Sequence, residues 1–277
     1  MSHYVGIDIG GTKMYMFAEI DGSMKEHMVP TGKDCSLAYL KQEIDRFIEH
    51  LDAVPAGVGI GLVGLVKGND RVQFSDMSVL NGVTTEYFSE GRYPVVFLND
   101  VKAATLAESI HYPDHHTVAV LMAGTGLAVG VVSEGKLLQG VSGWSGELGY
   151  TLVSVNGEAK KIDQLASGMA ILQQAGVHVE EFLEQLEKDD ESARSIVEQA
   201  GYYCGLAITN LIHLYNPDVL VIGGSTATYK GYLDKALAVV KQYTLPDLYA
   251  ACSIVNAKGQ RRTVALGARV FARLQFA

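Results

Sequence analysis

Cysteine is scarce in this chain: three residues, Cys35, Cys204 and Cys252, lie far apart and form no Cys-x-x-Cys pair. That pattern excludes a disulfide framework and fits a reducing compartment. No apolar run approaches the roughly 20 residues needed to span a bilayer, and no signal-like segment precedes the first apolar run. The expected location is cytoplasmic, without a membrane partner. Basic charge is also short, with 22 Lys and Arg against 31 Asp and Glu and a net charge of −9. A nucleic acid or an anionic membrane is therefore not expected as the main partner. Any anionic substrate must be met by local backbone donors and a cation.

Glycine, by contrast, is plentiful, and its 30 copies cluster in short turns rather than in a low-complexity tract. With 48% hydrophobic and 19% charged residues over 277 positions, the chain is a folded protein of one large or two ordinary domains. Residues 4–18 place two apolar runs around Gly10-Gly11-Thr12-Lys13, a hairpin signature. Asp8 sits inside the first run, where a carboxylate is costly without a partner such as a magnesium ion or a magnesium-bound phosphate. The glycines let backbone N–H groups approach an anion, and Thr12 and Lys13 add a hydroxyl and a charge. The stretch reads either as a phosphate-binding hairpin with Asp8 at magnesium, or as an ordinary hairpin.

The same pattern restarts at residues 117–132, with two apolar runs around Gly124-Thr125-Gly126. The echo predicts two related α/β domains with a boundary near 112–114. Between the hairpins, Ser36 can cap a helix whose apolar face holds Leu40, Ile44 and Phe47. A buried strand over 94–98 ends in Asn99-Asp100. Asp100 is either the N-cap of the next helix or a general base at a strand end, where α/β sheets place ligands. Residues 133–160 read as glycine-rich loop, containing Gly146-Glu147-Leu148-Gly149-Tyr150. Glu147 is a sugar-hydroxyl grip or a plain loop acid, and nearby Trp144 packs on a sugar face or on its own loop. Helices are expected over 163–175, 180–186 and 192–215. Gly223-Gly224-Ser225 follows another buried strand, either seating an adenosine or turning the chain. The last helix is expected from Thr263.

Taken in order, Asp8-x-Gly10-Gly11-Thr12-Lys13, Asn99-Asp100, Gly124-Thr125-Gly126, Gly146-Glu147-x-Gly149, Asn216-Pro217-Asp218 and Gly223-Gly224 resemble the ROK family of sugar kinases over nearly the whole chain. The resemblance implies the α/β, two-domain actin-like ATPase fold (hexokinase-type, ribonuclease H-like) with an interdomain cleft. It implies domains at 1–112 plus 263–277 and at 113–262. It also implies ATP and Mg2+, a small-molecule sugar, a homodimer, and Asp100 as the base. Asp8, Gly10, Gly11, Thr12, Lys13, Gly124, Thr125, Gly126, Gly223, Gly224 and Ser225 would meet the nucleotide. Asn81 (or Asp76), Asn99, Asp100, Glu147, Tyr150 and Asp163 would meet the sugar.

Three departures stand out. The family's zinc-binding histidine is Tyr150 here, and residues 156–163 hold no cysteine, so no zinc is expected. Zinc-less branches of the family include enzymes resembling N-acetylmannosamine kinases. Ala128-Val129 follow the second turn where the family tends to have glycine, restricting the backbone beside the phosphates. The third departure is that no helix-turn-helix precedes the first strand, as it does in ROK repressors, so a transcription-factor reading is disfavoured. The alternatives to a glucokinase-like or N-acetylmannosamine kinase-like enzyme are a non-catalytic sugar and nucleotide sensor, and a filament or chaperone ATPase.

Overall fold

The computed structural model describes residues 3–32, 34–51, 53–258 and 262–277. In chain order the first part contains β1 (Tyr4–Ile9), β2 (Lys13–Ile20), β3 (Ser23–Pro30), α1 (Leu37–Glu49), β4 (Gly57–Leu62), β5 (Leu65–Lys67), β6 (Arg71–Phe74), α2 (Thr85–Ser89), β7 (Val95–Asn99) and α3 (Asp100–Ser109). Then follow β8 (Thr117–Ala123), β9 (Leu127–Ser133), β10 (Lys136–Leu137), β11 (Leu152–Val155) and β12 (Glu158–Lys161). The rest is α4 (Asp163–Ala166), α5 (Gly168–Ala175), α6 (Val179–Glu187), α7 (Glu191–Tyr215), β13 (Val219–Gly223), α8 (Tyr232–Tyr243), α9 (Pro246–Ala251), β14 (Ser253–Asn256) and α10 (Thr263–Phe276).

The chain divides into two compact units: 1–113 with 137–145 and 258–277, and 114–136 with 146–257. The main sheet of the first runs β3-β2-β1-β4-β7, and that of the second runs β10-β9-β8-β13-β14. In each, the opening strand forms an antiparallel hairpin with the next strand, and two parallel strands extend the sheet beyond it. The echo read between residues 4–18 and 117–132 is thus an echo of sheet topology.

In the first unit, Val5, Ile7 and Ile9 of β1, Ile60 and Leu62 of β4, and Ile44 and Phe47 of α1 share one core. Ser36 caps α1, its hydroxyl accepting from Tyr39 N–H at 3.1 Å. The opposite sheet face is kept bare by glycine. A Cβ at Gly6 would overlap the carbonyl of Ala265, and one at Gly59 that of Ala268, so α10 lies directly on β1 and β4. Gly267 of α10 meets Ala103 of α3 equally closely, which holds the helix that begins at Asp100. The second unit has its own core, including Phe182, Ile208, Ile212, Leu220 and Tyr232. There Gly201 and Gly205 of α7 admit α8 at backbone distance.

Several elements differ from expectation. Residues 152–161 form the hairpin β11–β12 rather than loop, turning on Asn156 and Gly157, both with positive φ. The helix expected over 163–175 breaks at Ser167, whose hydroxyl turns to cap α5 by accepting from Ala170 N–H. The strand-like residues Val72–Phe74 fall in β6, which pairs with β5 in a short hairpin; β5 and α9, started by Pro246, carry too little periodicity to be read from sequence. Segment 137–145 packs with the first unit, where Trp144 Nε1 donates to Val66 O at 3.0 Å and the buried Lys102 ammonium donates to Gly143 O. The Trp144 indole is thus tied to β5. No described helix is long and apolar enough to cross a membrane.

Candidate active site

The first glycine turn is braced from its carbonyl side. Gly10 N–H donates to Lys13 O at 3.0 Å, Thr31 Oγ1 donates to Gly10 O at 2.6 Å, and Thr31 N–H donates to Thr12 O at 3.0 Å. Gly11 and Thr12 lie exposed at the tip. The turn's carbonyls are thus occupied internally, while its tip backbone faces outward.

Asp8, in β1 just before this turn, has its carboxyl pKa raised from 3.8 to about 7. Burial is the largest cause, the charge of Asp100 adds to it, and Lys13 opposes both. A divalent cation beside these two carboxylates would relieve their mutual repulsion.

Asp100 opens α3, but it is not the helix cap. Asn99 is the cap, its Oδ1 accepting from Val101 N–H at 3.0 Å and Lys102 N–H at 3.2 Å. The capping account of Asp100 fails because Asn99, one residue earlier, satisfies those donors. Asn99 Nδ2 also donates to Asp100 Oδ1 and to Gly64 O, both at 3.0 Å, which fixes the orientation of the Asp100 carboxylate. Val101 N–H reaches Asp100 Oδ1 at 2.9 Å. Nearby, Ser75 donates its hydroxyl to Val63 O at 2.6 Å, and Asn81 Oδ1 accepts from Ser75 N–H at 2.6 Å. Asn81, Asn99 and Asp100 are thus tied into the loops at the ends of β4 and β7. Asp76 is exposed beside them.

The second turn follows the same plan with different parts. Gly124 N–H donates to Gly126 O at 3.0 Å, while Gly124 O accepts from Gly168 N–H and from Thr226 Oγ1, each at 2.9 Å. Met169 N–H reaches Thr125 O at 3.3 Å. Thr125 and Gly126 are exposed. Ala128 and Val129 lie in the regular β8–β9 ladder, opposite Met122 and Leu121. Their positions call for no backbone freedom, so the restriction expected there does not fall on the turn.

Gly223 and Gly224 make the chain turn close to β8: Cβ atoms there would crowd Met122 Sδ and overlap Ala123 O, and Gly224 has φ +98°. Ser225 lines a cavity of about 730 Å³ beside Thr125, Thr226, Leu172, Val177 and Tyr229. Its lining mixes apolar side chains and hydroxyls with Gln173, His178 and Glu180. Glu147 is half-buried at the start of a helical turn over Leu148–Tyr150. Tyr150 is exposed, with Lys161 Nζ 4.3 Å above its ring. Asp163 turns inward, its Oδ1 accepting from Leu127 N–H at 2.7 Å. Among the described residues no cluster of three His, Cys, Asp or Glu could hold a metal.

Sequence reading missed Thr31 and Thr226, whose partners lie 21 and 102 residues away.

The model of the ROK family matches residues 4–274. This chain belongs to the ROK family. A glucokinase from Halalkalibacterium halodurans is 28% identical over 292 residues, covering 88% of this chain and 86% of the relative. A xylose repressor from Bacillus spizizenii is 22% identical, covering 95% of this chain and 75% of the repressor. Among solved structures, the ROK hexokinase from Thermus thermophilus superposes with a TM-score of 0.84 at 25% identity, covering 99% of this chain and 98% of its own. The fold is the actin-like ATPase fold of ROK sugar kinases. Because the family contains both kinases and repressors, membership sets the fold and the sugar-linked class without setting turnover.

Proposed function

We propose that the protein is an ATP-dependent sugar kinase that transfers the γ-phosphate to a hydroxyl of a hexose or amino-hexose, a glucose-like or N-acetylmannosamine-like substrate. The observation that carries this reading is the pair Asp8 and Asp100 beside the first glycine turn, with Asp8 raised to about 7 in part by the charge of Asp100. A carboxylate held partly out of water beside a second, oriented carboxylate is costly to keep, which supports a catalytic use of the pair.

In this reading the turns at Gly10, Gly11, Thr12 and Lys13 and at Gly124, Thr125 and Gly126 hold the polyphosphate. Gly223, Gly224 and Ser225 border the nucleoside. Asn81, Asn99, Glu147 and Tyr150 orient the sugar. The sugar oxygen attacks the γ-phosphorus, its bond to the β,γ-bridging oxygen breaks, ADP leaves, and the hydroxyl proton passes to Asp100. Asp8 would hold magnesium directly or through its water, and the ion when bound neutralises charge on the phosphates. Positioning supplies most of the remaining rate. A cytoplasmic homodimer accompanies this reading, with sedimentation as its check.

The test is ADP release across a panel of hexoses, amino sugars and disaccharides. A kinase releases ADP only with its sugar. Sugar binding by calorimetry without ADP release favours the sensor, and sugar-independent hydrolysis favours a filament or chaperone ATPase.

A further inference from the structure

Asp163 stands between two loops that the kinase reading assigns to different substrates. Its Oδ1 accepts from Leu127 N–H, the first amide after the Gly124–Gly126 turn. A Cβ at Gly126 would sit 3.3 Å from its Oδ2, and a Cβ at Gly149 would overlap the whole carboxylate. The φ of Gly149 is not positive, so its backbone does not demand glycine. What demands it is the Asp163 carboxylate, which fills the space where a side chain would lie. The carboxylate is thus clamped between the glycine turn and the Glu147–Tyr150 segment.

The residue itself is well anchored. Ser167 Oγ donates to the Asp163 carbonyl at 2.7 Å, and buried Tyr232 donates to Ala166 O at 2.6 Å, one turn further along α4. Burial raises the Asp163 pKa above the usual carboxylate value, with Leu127 N–H and the charge of Lys161 opposing the rise.

We propose that Asp163 is a positioning residue that ties the second phosphate turn to the sugar loop, so that its loss weakens nucleotide binding even when no sugar is present. The inference rests on the kinase reading of that turn. It differs from a simple sugar contact, which would leave nucleotide affinity in sugar-free protein unchanged.

Calorimetry with ADP and magnesium, in the absence of sugar, separates the two. Asp163→Ala is expected to weaken ADP about tenfold, the scale of one lost charge-assisted hydrogen bond. Asp163→Asn, whose amide oxygen still accepts from Leu127 N–H, is expected to stay within about twofold of wild type. Should Asp163→Ala fail to fold, Gly149→Ala displaces the carboxylate instead and is expected to weaken ADP similarly. In both displaced variants, hydrogen exchange at the Leu127 amide should accelerate at least tenfold relative to Asp163→Asn, a readout independent of turnover. Wild-type ADP affinity retained in Asp163→Ala or Gly149→Ala overturns the proposal alone. A wild-type protein that binds no ADP overturns the kinase reading and this proposal with it.

Discussion

The two glycine turns have one construction and different surroundings. In each, a threonine hydroxyl from a later segment donates to the carbonyl of the first glycine, Thr31 to Gly10 and Thr226 to Gly124. In each, a backbone bond closes the turn and the tip faces outward. The surroundings then diverge. Two residues before the first turn stands Asp8, with Asp100 near enough to raise its pKa; two residues before the second stands Met122. The second turn instead gains Gly168, Met169 and Asp163 as braces, and a cavity of about 730 Å³ at its side. In the kinase reading, the duplicated framework carries reactive groups in one copy and gripping groups in the other, and the two can be broken separately.

The largest expected effect comes from the group with no counterpart. Asp8→Asn should cut turnover by at least ~100-fold in a steady-state assay, within the range for losing a key electrostatic group. The same change should stabilise the metal-free protein at pH 8. Because the Asp8 pKa is raised from 3.8 to about 7, the folded state keeps a proton that the unfolded chain has lost between those values. Wild-type stability should therefore fall as pH rises from about 4 to 7, and the variant should lose that part of the slope in urea titrations. An unchanged slope would mean that Asp8 is not the strained carboxylate.

Next comes the brace that the two turns share. Thr226 is buried, so Thr226→Val should cost about 1–3 kcal/mol and raise KM for ATP more than KM for sugar. Thr31 is half-buried, so Thr31→Val should cost less, about 1 kcal/mol, since water can replace the hydroxyl. Equal stability losses in thermal denaturation would contradict the difference in enclosure. The smallest effect belongs to Ala128→Gly. Position 128 lies in the β8–β9 ladder, so ADP affinity should move by less than about twofold, with a stability loss of roughly 0.5–1 kcal/mol.

Most of this framework is legible in residue order. The hairpins at 4–18 and 117–132 announce themselves because glycine turns sit between β-branched and apolar runs. Asp8 and Asp100 are legible as acids out of place. Other features depend on proximity that no local pattern carries: Thr31 and Thr226, the glycines beneath α10, and Asp163 against Leu127. Two misses had a signal. Asn156-Gly157 is a hairpin turn pair at the centre of β11–β12, hidden within a segment judged by its glycine content. Asn99 and Asp100 are equally good caps by type, and only geometry shows that Asn99 caps while Asp100 is left oriented by it.

The claim that one unit reacts while the other grips meets its most direct test in Asp100→Asn, measured for turnover and, by calorimetry, for sugar and ADP binding in the same preparation. Turnover lower by about 10²–10⁴, with both affinities within a few-fold of wild type, is the predicted result. Near wild-type turnover, or loss of binding in step with loss of rate, would contradict it.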